Sequence, residues 1–422
     1  MLIKEISRIE FDSFSKNHPL GTFYQTSMYG EVMSKCGYTD IYIGGYLNDT
    51  LVAASLILSK TISLNVKYGY APRGFILDYS DLELLNDFSR SLRKFFNKRN
   101  YAFIKINPMV IYSDVNVKDN TKKVNEVAVK IFDSLVNNKY QKLKNNIYFE
   151  SSLPKYNPIL NLKNFSFDRL DRKLQINLEK IGQKGLNIYK GDIYNLNDLY
   201  ELTKRKESLS PDFYKYLYKT FSDKNMIDLF LVNVTYHDYL EHLQDEIIIE
   251  LDINEKLNKI FQQDPSNKQV YNEKMLSDKK LNEINVEMAD VNEKILKGIN
   301  SEIVAGALVI KYKNVATVFT SGFVKDYKRL LPNHYLHYMI INKYKQDGYY
   351  FMDLNGITGD NSKNNPYKGL NDFKLSWNPK VYEYIGEFDF VISQNKYALL
   401  WSTHALHREF DKKDLKIPDE DL

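Results

Sequence analysis

Between residues 238 and 299 the apolar positions follow a helical period and strand-type alternation is absent. Leu281, Ile284, Met288, Val291 and Ile295 recur at alternating three- and four-residue spacing, the a/d seam of a coiled coil. The preceding half repeats the pattern more loosely through Leu240, Leu243, Ile247, Leu251, Leu257 and Phe261. Between them, Pro265 and the polar residues of QQDPSNKQ break the helix. The pattern predicts two antiparallel helices forming an arm.

The arm interrupts a run of β-type sequence. MIDLFLVNV (226–234) reads as a strand entering it, and EIVAGALVIKYKNVATVFTSGF (302–323) as a hairpin leaving it, turning at Lys313-Asn314. The amphipathic NHYLHYMIINKYKQDG follows, with Asn333 as the expected N-cap, and then the strand YYFMDLNGI. The same order occurs earlier: a hairpin within residues 51–79, the helix DLELLNDFSRSLRKFFNKRN, and the strand YAFIKINP. Hairpin, helix, strand therefore repeats once, which predicts an α/β (α+β) chain of two related domains. The expected boundaries are 1–150 for the first, 151–237 with 300–412 for the second, 238–299 for the arm and 413–422 for a polar tail.

Composition narrows the classes. A hydrophobic share of 43% marks a globular chain. The single cysteine, Cys36, excludes an intramolecular disulfide and a thiolate metal cluster, and fits a reducing cytoplasmic setting. Neither a signal-peptide pattern nor an apolar run long enough to span a bilayer is evident. Of 58 bases and 54 acids, 8 and 14 fall in residues 238–299, so the arm is acidic and the body basic. An acidic arm is a poor phosphate clamp. The helix segment RSLRKFFNKRN reads first as an amphipathic helix with a solvated basic face and second as a docking face for nucleic-acid phosphates or, as a peripheral contact, anionic lipid. The pairs His334/His337 and His404/His407 share helix faces, but no third ligand accompanies them, so no metal is expected.

The motifs, taken in order, resemble the Fem (FemABX) family. FYQTSMYGEVMSKCGY (23–38), YGYAPRGFILDY (68–79), FIKINP (103–108), KLQINLEKIGQKGL (173–186), the 335–359 segment ending DLNGITG, and GLNDFKLSWNPKVYEYIGEFD (369–389) are each similar to blocks of that family. The resemblance implies two tandem GNAT-like acyltransferase domains with the coiled-coil hairpin inserted in the second. No R/Q-x-x-G-x-G/A loop precedes either central helix, so acyl-CoA is disfavoured as donor. It implies transfer of glycine, alanine or serine from aminoacyl-tRNA to an amine of a peptidoglycan stem or bridge peptide, without metal or other cofactor. Lys374 in the F-K block is the implied electrophilic residue, and Asn107 stands at a second catalytic position. Arg73, Lys173, Asn177, Phe373 and Tyr384 are the implied substrate contacts.

The chain also departs from the family pattern. Asn107 stands where an acid is usual, Gln175 where an arginine is, Tyr29 where a tryptophan is and Met33 where a basic residue is frequent. These changes favour a lipid-linked acceptor at the inner face of the membrane over a nucleotide-linked one. They also leave open another amine acceptor, or a non-catalytic adaptor that works through its arm. Pairing with a second copy or a related subunit is a further expectation.

Overall fold

The computed structural model describes residues 1–402 apart from 64, 118, 120, 144, 146, 147, 150, 151, 182, 183 and 205–208. The tail at 413–422 and the His404/His407 pair lie outside the described residues. In chain order the strands are β1 (Leu2–Glu5), β2 (Thr39–Leu47), β3 (Thr50–Ser63), β4 (Val66–Ala71), β5 (Tyr101–Ile106), β6 (Ile111–Asn116), β7 (Thr121–Val124) and β8 (Tyr140–Lys142). They continue as β9 (Tyr156–Asn161), β10 (Leu186–Gly191), β11 (Ile227–Thr235), β12 (Ser301–Tyr312), β13 (Val315–Phe323), β14 (Phe351–Asp353), β15 (Lys380–Tyr384) and β16 (Phe388–Val391).

Two sheets form, in the orders β1-β2-β3-β4-β5-β16-β8 and β10-β11-β12-β13-β14-β9-β15-β6-β7. Each carries the same unit. In the first, β3 and β4 pair antiparallel, the helix Leu82–Asn97 crosses over, and β5 returns parallel to β4. In the second, β12 and β13 pair antiparallel, the helix Pro332–Gln346 crosses over, and β14 returns parallel to β13. This is the repeated hairpin–helix–strand unit expected from the sequence order. The crossover helices bury one face each, Leu84, Leu85, Phe88, Leu92 and Phe96 in one and Leu336, Ile340, Ile341 and Tyr344 in the other.

The sheets exchange strands. β6 and β7 precede residue 150 but pair in the second sheet, β6 against β15, while β16 returns from the far end to pair with β5 and β8. The boundary expected at 150 is thus crossed in both directions. A third core fuses the halves, with Phe11, Phe23, Leu56 and Leu58 meeting Leu229, Leu231, Leu308 and Ile310. The apolar area it hides couples the two units mechanically.

The arm consists of the helices Tyr236–Gln263 and Lys268–Leu296. Ile284 and Val291 are buried in its seam as the spacing requires, and so is Leu243. The outer half differs: Leu251 is 53% exposed, whereas Glu250 and Asn254 face inward. There the Asn254 amide donates to Ser277 Oγ (3.1 Å) and Asp278 (2.7 Å), and Ser277 Oγ and Lys280 Nζ donate to Glu250 (2.6 Å each). A polar seam satisfied in this way fixes register at a cost in apolar burial. At the arm's root Arg329 donates to Glu246 and Glu287, one on each helix, at 2.6 Å.

Candidate functional site

Parallel strands end side by side, and their ends place two of the expected residues in contact. The β4–β5 register sets Ala71 opposite Ile106. The chain then turns at Arg73, held left-handed at φ +55, a conformation that costs a non-glycine residue about 1 kcal/mol. The Arg73 N–H donates to Asn107 Oδ1 at 2.7 Å, which helps hold that turn. Asn107 Nδ2 donates to the Tyr70 hydroxyl at 3.1 Å, so both ends of the amide are engaged.

The second sheet completes the cluster. Arg73 Nη2 donates to the Pro154 carbonyl at 2.9 Å and to Asn157 Oδ1 at 3.4 Å. Its guanidinium lies 4.8 Å from the centroid of the Tyr384 ring. Asn157 Nδ2 in turn donates to both carboxylate oxygens of Asp353, at 3.1 and 3.0 Å. The Asn355 N–H donates to the same carboxylate at 2.7 Å. Beyond it, Lys374 Nζ donates to the Gly356 carbonyl at 2.8 Å. Asn107, Arg73, Tyr384 and Lys374 thus share one network, reached from the ends of β4, β5, β14 and β15 and from the helix Lys368–Leu375.

That helix is clamped to the DLNGITGD loop. Asn371, wholly buried, donates to Thr358 Oγ1 (2.8 Å) and to the Asp360 carbonyl (3.0 Å), and its Oδ1 accepts from the Thr358 N–H (3.1 Å). Asn365 binds the same two acceptors at 2.7 Å. The glycines permit this closeness: a Cβ on Gly356 would lie 2.3 Å from Pro154, and one on Gly359 2.4 Å from Tyr156.

The electrostatics follow from burial. Loss of solvent pushes the Asp353 carboxyl above its ordinary range, against the Asn355 N–H, Asn157, Arg73 and Lys374, which pull it down. Burial and the nearby Asp353 raise Tyr384, and burial and Glu387 raise Tyr70, so both phenols stay neutral at physiological pH. Glu383 is also buried. Hydrogen bonds from Lys155, Ser113 and Lys122 overcome the desolvation and hold it down at about 2. Tyr156 completes that ring, donating to Glu383 at 3.0 Å.

Other expected residues lie elsewhere. Phe373 packs edge-on against His334 (4.8 Å) and His337 (4.9 Å), beside the buried Trp377. His334 is desolvated, its pKa pushed down to about 4, which leaves it neutral. Lys173 and Asn177 sit on the helix Arg172–Ile181, which buries Leu174, Leu178 and Ile181 in the second core. Lys173 is exposed, and among the described residues neither shares a hydrogen bond with Arg73, Asn107, Asp353 or Lys374. Asn333 is not the N-cap: Leu331 holds that place at φ +54 with Pro332 as the first helical residue. Arg93, in the basic helix, donates to the Asn138 and Val391 carbonyls, so part of that face is structural. Among the described residues no group of three or more His, Cys, Asp or Glu has metal-binding proximity.

Sequence reasoning missed Asp353 and Asn157. Asp353 opens the DLNGITGD stretch, whose glycines drew attention away from the acid beside them.

The two repeated units bring Arg73, Asn107, Asp353, Tyr384 and Lys374 together. The FemAB family model matches residues 6–404, and the chain belongs to that family. It is 25% identical over 415 residues to a lipid II:glycine glycyltransferase of Staphylococcus epidermidis, covering 94% of each chain. To aminoacyltransferase FemA of the same species it is 25% identical over 420 residues, covering 94% of this chain and 98% of the other. A crystal structure of FemX superposes with a TM-score of 0.69 at 20% identity, covering 95% of this chain and all of that one. No described helix is long and apolar enough to cross a membrane.

Proposed function

We propose that the protein moves an aminoacyl group from aminoacyl-tRNA to an amine of a lipid-linked peptidoglycan precursor. Support for the acceptor comes from relatives named for lipid II and glycine, which align over nearly the whole chain. The observation that carries the chemistry is Lys374. Its ammonium is held on a clamped helix by the Gly356 carbonyl, within the electrostatic reach of Asp353.

The donor ester is already activated, so the enzyme's task is alignment and charge stabilisation. As the amine attacks the ester carbonyl, a C–N bond forms and negative charge builds on the carbonyl oxygen. Lys374 faces that charge, and its hydrogen bond to Gly356 holds it in place beforehand. Collapse breaks the C–O bond to the ribose and leaves an amide. Arg73, spent on Pro154, Asn157 and the Tyr384 ring, fixes one side of the cluster, with Tyr384 behind it. Its positive charge also favours an anionic acceptor.

The test is transfer of labelled glycine, alanine or serine from purified charged tRNAs to a lipid II analogue. We expect transfer from at least one charged tRNA, abolished by prior ribonuclease treatment. Transfer that survives ribonuclease would contradict the tRNA donor.

A further inference from the structure

A neutral amine must shed a proton when it becomes an amide, and few residues of the Arg73–Lys374 cluster are able to take it. Asn107 has no basic atom and both its ends are bound, to Arg73 and Tyr70. Glu383 lies under Lys155, Lys122, Ser113 and Tyr156, a set of donors that suppresses its basicity. Glu387 is 1% exposed and accepts from the Ser152 N–H at 2.8 Å. The tyrosines at positions 70 and 384 remain protonated.

Asp353 differs from all of these. It stands at the end of β14, less deeply buried than Glu383 and Glu387, in the same network as Arg73 and Lys374. Three donor contacts reach its two oxygens: Asn157 Nδ2 to each, and the Asn355 N–H to Oδ1. A carboxylate has about four lone-pair sites, so Oδ2 keeps room for one more proton. Asn157 and Asn355 also fix the orientation of the group, as a proton acceptor requires.

We propose that Asp353 is the general base of the transfer, receiving the proton of the attacking amine. As the C–N bond forms, one N–H proton passes to Asp353. As the C–O bond breaks, a proton returns to the departing ribose oxygen, and the carboxylate is regenerated. Lys374 carries the oxyanion meanwhile and keeps its own protons. The desolvation that raises Asp353 supports this role, because a stronger base at the operating pH transfers protons better. The inference rests on the aminoacyl-transfer reading above.

The experiment compares wild type, Asp353→Asn and Asp353→Ala in the lipid II assay with charged tRNA, after circular dichroism confirms folding. We expect Asp353→Asn to lower kcat at pH 7 by about 10²- to 10⁴-fold with KM changed by less than about threefold. The wild-type rate should rise with pH through an acidic limb that Asp353→Asn lacks. Formate should restore part of the activity of Asp353→Ala, which a purely structural role would not allow. Asp353→Asn activity within about threefold of wild type, an unchanged acidic limb, or an inactive Asp353→Ala that formate does not rescue would overturn the proposal. A wild type inactive with every charged tRNA would overturn the transfer reading and this inference with it.

Discussion

Lys374 Nζ donates to the carbonyl of Gly356 at 2.8 Å, and that bond ties a helix to the loop that ends a core strand. The contact turns an unremarkable-looking lysine into an aimed one. Asn371, one turn earlier on the same helix, makes the clamp rigid through Thr358 and Asp360. The ammonium is therefore fixed before any substrate arrives.

Gly356→Ala tests the closeness of that loop. The new Cβ would fall 2.3 Å from the Pro154 ring, which a short backbone shift must relieve. Pro154 also supplies the carbonyl that Arg73 grips. We expect a loss of about 1–3 kcal/mol in urea unfolding, together with slower transfer. A variant as stable and active as wild type would show that the loop has slack.

Arg73→Lys tests the other side of the cluster. Lysine keeps the charge but has neither the planar fork nor the ring-stacking face. We expect about 1–2 kcal/mol of lost stability, from the contacts to Pro154, Asn157 and Tyr384. Chemical denaturation with transfer assays on the same preparation reads both effects.

These residues were unevenly legible in the sequence. The arm and the repeated unit show in local spacing, and the lysine of the F-K block through the family resemblance. Strand exchange does not, because β15 meets β6 across about 270 residues of chain, and nothing local records a partner so distant. The Arg73–Asn107 bond is hidden for the same reason: it exists only once β4 and β5 lie parallel in register. Leu251 misled because its spacing fits the seam, yet the buried Glu250 and Asn254 are satisfied by Ser277, Asp278 and Lys280 across it.

Glu383 predicts a pH dependence of stability. Its folded pKa, about 2, lies below the ordinary 4.5. Its contribution is therefore fully present above pH 4.5 and is lost as pH falls toward 2. Unfolding midpoints of wild type and Glu383→Gln should differ most near neutrality and converge as pH drops through that window. A gap that stays constant with pH would exclude the ion-pair explanation.

Arg329→Met tests the root of the arm. It leaves Glu246 and Glu287 without their guanidinium partner, a cost of about 1 kcal/mol for half-buried pairs. The loss should fall on the arm, so limited proteolysis within residues 236–296 should quicken while the melting temperature of the body changes little. Equal cleavage rates would place the arm's anchorage in its apolar seam instead.

The central claim is that acyl transfer occurs beside the Lys374 ammonium. The most direct measurement is the single-turnover rate of Lys374→Met with charged tRNA and a lipid II analogue, on protein shown to be folded. The methionine keeps the half-buried aliphatic stem and deletes the charge. We predict a rate reduced by about 10²- to 10³-fold. A rate equal to wild type would contradict the account.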